Sequence, residues 1–409
     1  MLNSKGEREL AYVVIIDGIE PIEGYDRVEM AIVGGWHIIV QKNQFKVGDP
    51  AIYFEIDSLV PSDKECFAFL EKRKYRIKTL KMCGTISQGL LMHAEDFGWK
   101  NAIDADGHPL IYDANDNSRF WYADGEDRFL TKELGVTYYS AEDRARKGNP
   151  VDKYKVMAQR RPNIFKRKWA RWFMRREWGR KVMYFFFGAK KKKENNWPSH
   201  ICAKTDVERV QNMMWVFKSH KTYVASEKVD GSSMTVACEP KKFGFGYNYY
   251  VCSRNVVFKD ENQKCFYDDN IYFEMYKKYN LQEIITRILV DYKLPNVALQ
   301  MEVYGDKVQK RDYSIKEHRV AVFHVVSGGR KLNMDMAMEI CEKYGLPHVP
   351  IVDDNYELPE TIEELQEFVE GAPSALDGKP REGIVFYDKE TGQEYFKFVS
   401  PNYLLKYHQ

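Results

Sequence analysis

The sequence predicts an α+β protein in two folded parts, a small N-terminal β-barrel and a larger domain of antiparallel sheets with flanking helices. Two observations carry this. The first 95 or so residues break into short apolar runs divided by turn residues, as in "AYVVIIDGI" and "AIVGGWHIIVQKNQFKVGDPAIYFEIDSLVP". From about residue 198 onward, β-rich runs mix with helical segments without strict alternation, which argues against a doubly wound parallel sheet. With 409 residues, 44% of them hydrophobic, the chain can bury one large core or two to three smaller ones.

In the first part, Gly34-Gly35 and Gly48-Asp49 separate the β-rich runs, and "YRIKTLKMCGTISQGLLM" adds a further pair of alternating basic and apolar strands. Four to six short strands suit a small closed barrel, of which the OB-fold is the commonest kind. The segment resembles the oligonucleotide-binding barrels attached to tRNA-binding and RNA-joining proteins. Residues 1–100 are therefore expected to form an OB-like barrel, 101–197 a connector, and 198–409 the second domain. Within the connector, "DADGHP" and "DANDNS" read as loops.

The second domain opens with "KTDVERVQN", where Thr205 and Glu208 stand at capping-box spacing, so a helix is expected to start there. A strand pair is expected around "EKVDGSS", then "YNYYVCSRNVVF", then a long helical stretch over about 262–291. "NVALQMEVYGDKVQK" and "HRVAVFHVVS" read as strands, "MDMAMEICEKYG" as a helix ending at Gly345, and "TIEELQEFVEG" as a capped helix. "REGIVFYD" and "EYFKFVS" close the domain as strands.

Composition sets the outer bounds. Seven scattered cysteines without CxxC pairs argue for reduced thiols in a cytoplasmic compartment, against a disulfide framework or zinc site. No signal-like start and no run approaching a membrane span is present, so no membrane partner is expected. The 62 basic and 60 acidic residues nearly cancel, but not locally. Arg160–Lys193 holds fourteen Lys and Arg against the single acid Glu177, a local +13 that leaves about −11 elsewhere. With Trp169, Trp172, Phe173, Trp178 and Tyr184 interleaved, three readings fit: nucleic-acid contact, docking on an anionic surface or partner, and a helical insertion with its aromatics packed inward.

The chemistry centres on Lys228 in "EKVDGSSMT". Strand alternation puts Lys228 and Asp230 on one face and Glu227 and Val229 on the other, and Asp230-Gly231 allows a tight reversal. An amine beside a carboxylate at a strand end can serve as a nucleophile once its proton is removed. K-x-D-G alone is a weak pattern; the company it keeps in order along the chain is what distinguishes it. Lys228-Val229-Asp230-Gly231 resembles motif I of the covalent nucleotidyltransferases, the superfamily of ATP-dependent ligases and mRNA capping enzymes. Ser253-Arg254-Asn255 resembles motif Ia, Glu302 to Lys310 motif III, the strand around Phe323 motif IIIa, Glu382-Gly383 motif IV, and Lys397 motif V. With the barrel and "KTDVERVQN", the chain resembles the ATP-dependent RNA ligases that carry an OB module ahead of the catalytic domain and seal nicks in RNA duplexes. The basic insertion lies outside that resemblance.

The resemblance implies an antiparallel-sheet adenylyltransferase (ATP-grasp-like ligase) domain, ATP and Mg²⁺ or Mn²⁺ as cofactors, RNA as partner, and no obligate protein partner. Lys228 would become lysyl-AMP, pass AMP to a 5′-phosphate end, and a 3′-hydroxyl would displace it. Arg254, Lys397 and Lys204 would face phosphates. Glu302 and Glu382 would serve the ribose and metal waters, and Asp230 the metal's hydration shell. Phe323 would stack on adenine and Glu227 would read its amino edge. His324 reads as a strand-face histidine, and Arg209 is open between phosphate contact and helix-start decoration.

Three departures qualify the match. Tyr395-Phe396-Lys397 holds one lysine where many relatives have K-x-K, which leaves the second phosphate contact to another residue, with Lys310 the candidate. Residue 233 is Ser where DNA ligases and capping enzymes usually have Arg, and only twelve residues follow Lys397, too few for their C-terminal OB domain. Both favour an RNA ligase over two alternatives, a nucleotidyltransferase with another acceptor (capping-like or DNA ligase) and a non-catalytic RNA-binding protein.

Overall fold

The computed structural model describes residues 1–139, a scattering of positions within 164–183, and 197–408 apart from Thr205, Phe243 and Asp268. Most of Arg160–Lys193 thus lies outside the described residues, and with it the three readings of that stretch. In the N-terminal part, the strand Ala11–Ile15 pairs antiparallel with Pro50–Phe54, which in turn pairs with Leu90–Met92. A meander of Gly18–Ile22, Tyr25–Val33 and Trp36–Gln41 and a hairpin of Thr79–Met82 with Thr85–Gln88 complete it. Ala11–Ile15 is apolar along its length because it is covered on both faces. Val13, Ile52 and Phe54 meet Phe67, Leu70 and Trp99 on one side; Tyr12, Ala51 and Tyr53 meet Trp36, Ile38 and Val40 on the other.

The layer over the first side comes from the segment that gave little sequence signal. Trp99–Ile103, Pro109–Asp113 and Asp116–Tyr122 form a three-stranded antiparallel sheet whose Trp99, Ile111 and Trp121 pack on the first core. The "DADGHP" and "DANDNS" stretches are its connections. Asp104 accepts from the Asp106 and His108 N–H groups, and Asp113 from that of Asn115, so side chains hold the turns.

The second domain is two sheets face to face. One runs in the order Glu208–Arg209, Glu394–Val399, Gly383–Asp388, Thr222–Lys228, Ile351–Glu357; the other Val257–Phe258, Tyr247–Ser253, Ser232–Pro240, Val297–Gly305, His318–Ser327, Arg330–Lys331. The main neighbours are antiparallel, and among the described strands of these two sheets Glu208–Arg209 alone lies parallel to its partner. Helices Ile271–Lys278, Leu281–Asp291 and Met334–Tyr344 cover the outer face of the second sheet, and Ile362–Glu370 covers the first. Between the sheets lie Val224, Val229, Tyr304, Ala321 and Tyr387, with Phe323 packed against them.

Three sequence expectations change in detail. Thr222–Lys228 and Ser232–Pro240 do not pair with each other: the chain crosses from one sheet to the other at Val229–Gly231. Gly231 is needed there for closeness, since a Cβ would stand 2.2 Å from the Val303 carbonyl oxygen. The helical stretch over 262–291 is two helices broken at Asn280, whose φ of 47° is left-handed. Thr205 of the expected capping box lies outside the described residues, and among those that directly follow no α-helix starts: Glu208–Arg209 is a short strand followed by 3₁₀ turns at Val210–Asn212 and Met214–Lys218. Its side chains explain why: Glu208 and Asn212 bond to each other and to the barrel instead of capping a helix. Among the described residues, no helix is long and apolar enough to cross a membrane.

Candidate active site

The site lies where the two sheets meet at the end of Thr222–Lys228. Lys228 pairs across the ladder with Gly383, which brings Glu382, the residue just before that strand, alongside the lysine. Lys228 Nζ donates to Glu382 Oε2 at 2.7 Å. Gly383 has no room for a side chain, since a Cβ would meet the Phe398 carbonyl oxygen at 2.1 Å. From the other sheet, Glu302 sits opposite Ser233 and against Gly231. Asp230 is buried just beyond the lysine: its Oδ2 accepts from Tyr403 Oη at 2.6 Å and lies 3.6 Å from His408 Nε2. Tyr313 Oη accepts from the Asp230 N–H and donates to its carbonyl, both at 2.9 Å, which fixes the crossover.

One ammonium among three carboxyls sets the electrostatics. Burial works against the Lys228 charge, but Glu382, then Glu302 and Asp230, outweigh it and hold the amine above the ordinary lysine value. Burial, with Glu382 and Asp230 nearby, pushes the Glu302 carboxyl up to about 8 despite Lys228. Glu382 is also raised, by burial first and then by Asp230. Asp230 stays below the usual carboxylate range: burial opposes this, and His408, Tyr403 and Lys228 outweigh it. The ligand atoms of Asp230, Glu382 and His408 fall within 4.8 Å of one another; Glu302 is not in that group.

A second set of charges adjoins the first. Lys397 pairs in the ladder with Val385 and, on its other side, with Arg209. Its Nζ lies 3.2 Å from Asp206 Oδ1, while Arg254 Nη2 reaches Asp206 Oδ2 at 3.3 Å. Burial lowers Lys397 to about 8 against the pull of Asp206. Arg8, from the N-terminal part, touches the same carboxylate at 3.8 Å.

The remaining expected residues lie apart from this nest. Lys204 Nζ donates to Asn255 Oδ1 at 2.9 Å, beside Arg254, and stands over the Trp197 ring. Phe323 is half-buried in the layer between the sheets. Glu227 points to the opposite face from Lys228, and both its oxygens are taken, by Ser374 Oγ and by the Ala375 N–H. It therefore clamps the 374–375 loop. His324 Nδ1 faces Gln300 Oε1 at 3.1 Å in the second sheet. Arg209 faces the barrel, 3.6 Å from Glu55 and 3.8 Å from Asp57. Lys310 is exposed.

Sequence reasoning missed Asp206, Tyr313, Tyr403 and His408. Asp206 was in view within "KTDVERVQN", but its partners are distant in sequence. Tyr403 lies in the helix Pro401–Tyr407 and His408 directly follows it; Ser400 caps this helix and proline stands in its first turn, a helix-start signal that "SPNYLLKYH" carries.

Known proteins agree with this architecture. A family model described as an OB-fold domain matches residues 10–94, and one described as RNA ligase matches residues 221–407. No curated protein sequence matches the chain. A solved structure of Naegleria gruberi RNA ligase with PPi is similar at 23% identity over 98% of this chain and 99% of that chain, with a TM-score of 0.69. Variants of that ligase with ATP and Mn and with AMP and Mn, also 23% identical, give 0.69 and 0.68 over 98% of this chain and 100% and 99% of theirs. At that identity the likeness is one of fold, and it takes in both domains in the same order. Residues 10–94 thus match an OB-fold domain and residues 221–407 the RNA ligase family, in that order along the chain.

Proposed function

We propose that this protein is an ATP-dependent RNA ligase that joins 3′-hydroxyl and 5′-phosphate ends through lysyl-AMP at Lys228 and a 5′-adenylated RNA. The observation that carries the reading is the Lys228 amine at the sheet junction, bonded to Glu382 and flanked by Asp230 and Glu302. In the first step Nζ attacks the α-phosphorus of ATP, a nitrogen–phosphorus bond forms, and pyrophosphate leaves. The amine must first lose a proton, and Glu382 Oε2 at 2.7 Å is placed to receive it. In the second step a 5′-phosphate oxygen displaces the lysine. In the third, the 3′-hydroxyl attacks the 5′-phosphorus and AMP departs. Phosphoryl transfer asks mainly for positioning and charge neutralisation, which Lys397 and Arg254 would supply once a phosphate replaces Asp206 as their partner.

The Naegleria structures hold ATP or AMP with Mn, and the residues here suit the same groups. Three carboxyls face a single ammonium, and burial, with Glu382 and Asp230 nearby, pushes the Glu302 carboxyl up to about 8. Asp230 and Glu382, whose ligand atoms lie with that of His408 within 4.8 Å of one another, suit Mg²⁺ or Mn²⁺, with Glu302 serving it through water. When bound, the metal would neutralise phosphate charge. Phe323 in the inter-sheet layer is the ring offered for adenine stacking.

Sealing of a nicked RNA duplex, followed on a denaturing gel with ATP, GTP or NAD⁺, tests the reading. ATP-dependent joining that also needs a 5′-phosphate is expected. Joining with GTP alone, or of DNA strands alone, would point to another acceptor chemistry.

A further inference from the structure

A second charged surface stands beside the active site. The stretch Glu71–Lys81, "EKRKYRIKTLK", carries six cations, Lys72, Arg73, Lys74, Arg76, Lys78 and Lys81, against one acid. It runs from the end of the barrel's 3₁₀ helix Glu65–Arg73 into the strand Thr79–Met82, and Lys72, Arg73, Lys74 and Lys81 are exposed. Arg76 pairs with Asp57 at 3.1 Å; among the described residues none of the four lysines pairs with a carboxylate. Lys78 is held below the ordinary lysine value by burial and by the crowding of Arg76, Lys310 and Arg73. A surface that assembles like charges without neutralising them has an anionic partner to gain.

Its position says which partner. Arg76, Lys78 and Thr79 share a small cavity with Leu404 and His408 of the C-terminal helix, and His408 Nε2 is 3.6 Å from Asp230. Lys310, at the end of the segment that begins with Glu302, is near enough for its charge to help hold the Lys78 amine down. Arg76 and Lys78, with Asp57, thus adjoin the residues around Asp230, and the exposed lysines continue the same stretch of chain. The meander Gly18–Gln41 corresponds to the strand 2–3 face that barrels of this kind usually offer to nucleic acid. Here it carries Glu20, Glu23, Asp26 and Glu29 against Arg27.

We propose that Lys72–Lys81, with Lys310 nearby, is the track that takes RNA phosphates next to the active site, in place of the acidic meander face. The inference rests on the RNA ligase reading for its choice of RNA. An anionic membrane would satisfy the charge, but the cavity shared with His408 sets the cations beside the chemistry instead of on a remote face.

The test uses the full chain, a nicked RNA duplex with 3′-hydroxyl and 5′-phosphate ends, and fluorescence anisotropy over a salt series. Lys72→Ala/Lys74→Ala/Lys81→Ala changes only exposed side chains, so the fold is retained. Its affinity should fall at least tenfold, and the slope of log K against log salt should shrink by about 2 to 3, one phosphate contact per lysine. Lys78→Ala should weaken binding further. Unchanged affinity and slope would overturn the proposal. So would a loss on Glu20→Gln/Glu29→Gln with the lysine variants unaffected, or binding to phosphatidylserine vesicles without binding to RNA. Labelling of the wild-type protein by ATP separates this from the parent reading: labelled protein whose RNA affinity ignores the lysines refutes the track alone, and unlabelled protein that binds RNA through them refutes the ligase alone.

Discussion

Lys397 is the residue whose environment most directly sets a pH limit. Burial depresses its amine to about 8, while Asp206 holds it from falling further. It carries its charge below about pH 8 and loses it above. Formation of lysyl-AMP should therefore decline as pH rises past about 8. Asp206→Asn removes the group that raises Lys397, so the declining limb should move to lower pH. A limb that stays or moves upward in a pH–rate profile would show that another group titrates there. Gly383 is a second sensitive position: Gly383→Ala would drive a Cβ to 2.1 Å from the Phe398 carbonyl oxygen in a central strand. The expected loss is about 2 to 3 kcal/mol, read from the urea midpoint. An unshifted midpoint would show that the strand can yield.

At the scale of elements, the C-terminal helix Pro401–Tyr407 is the piece that completes the site, because Tyr403 and the following His408 both reach Asp230. Tyr403→Phe removes a hydrogen bond to a buried carboxylate, a loss of about 1 to 3 kcal/mol. A drop of about tenfold in the rate of lysyl-AMP formation is expected, and an unchanged rate would leave Tyr403 a core residue only. The elements also show what was legible. The helix ending at Gly345 and the Thr361–Glu364 capping box stand as read, because caps and left-handed glycines are local signals. The break at Asn280 was missed, since a single left-handed residue leaves the hydrophobic period intact on either side. Lys228, Glu302, Glu382 and Asp230 were legible as a motif series, and the structure gathers them. Tyr403, His408 and Asp206 were not, because what gives them meaning is a contact across more than 150 residues of chain. Glu227 stands on the face opposite Lys228, as strand alternation predicts, with both its oxygens held by the 374–375 loop.

Across the whole molecule, the two domains are joined by buried charge. Glu55 of the barrel is fully buried and lies against the N-terminal ammonium, Arg8 and Arg209; Arg8 also touches Asp206, which holds Lys397. The contact continues through Trp36 Nε1, which donates to Asn212 Oδ1 at 2.7 Å, and the Gly35 N–H, which donates to the Gln211 carbonyl at 2.9 Å. A chain of ion pairs thus runs from the barrel to Lys397. Glu55→Gln would leave Arg8 and Arg209 without their shared partner in a buried setting, a loss of about 3 to 5 kcal/mol. Limited proteolysis should then cut between the domains faster than in the wild type, and an unchanged cleavage rate would show that the apolar contacts alone hold them together.

The central claim is that Lys228 is the nucleophile. Incubation with Mg²⁺ and ATP labelled at the α-phosphate, after stripping any bound AMP with pyrophosphate, followed by peptide mapping, tests it most directly. The label is predicted on the Thr222–Pro240 segment at Lys228, absent in Lys228→Ala, and discharged by pyrophosphate. Label on another residue, or none on protein treated in this way, would contradict it.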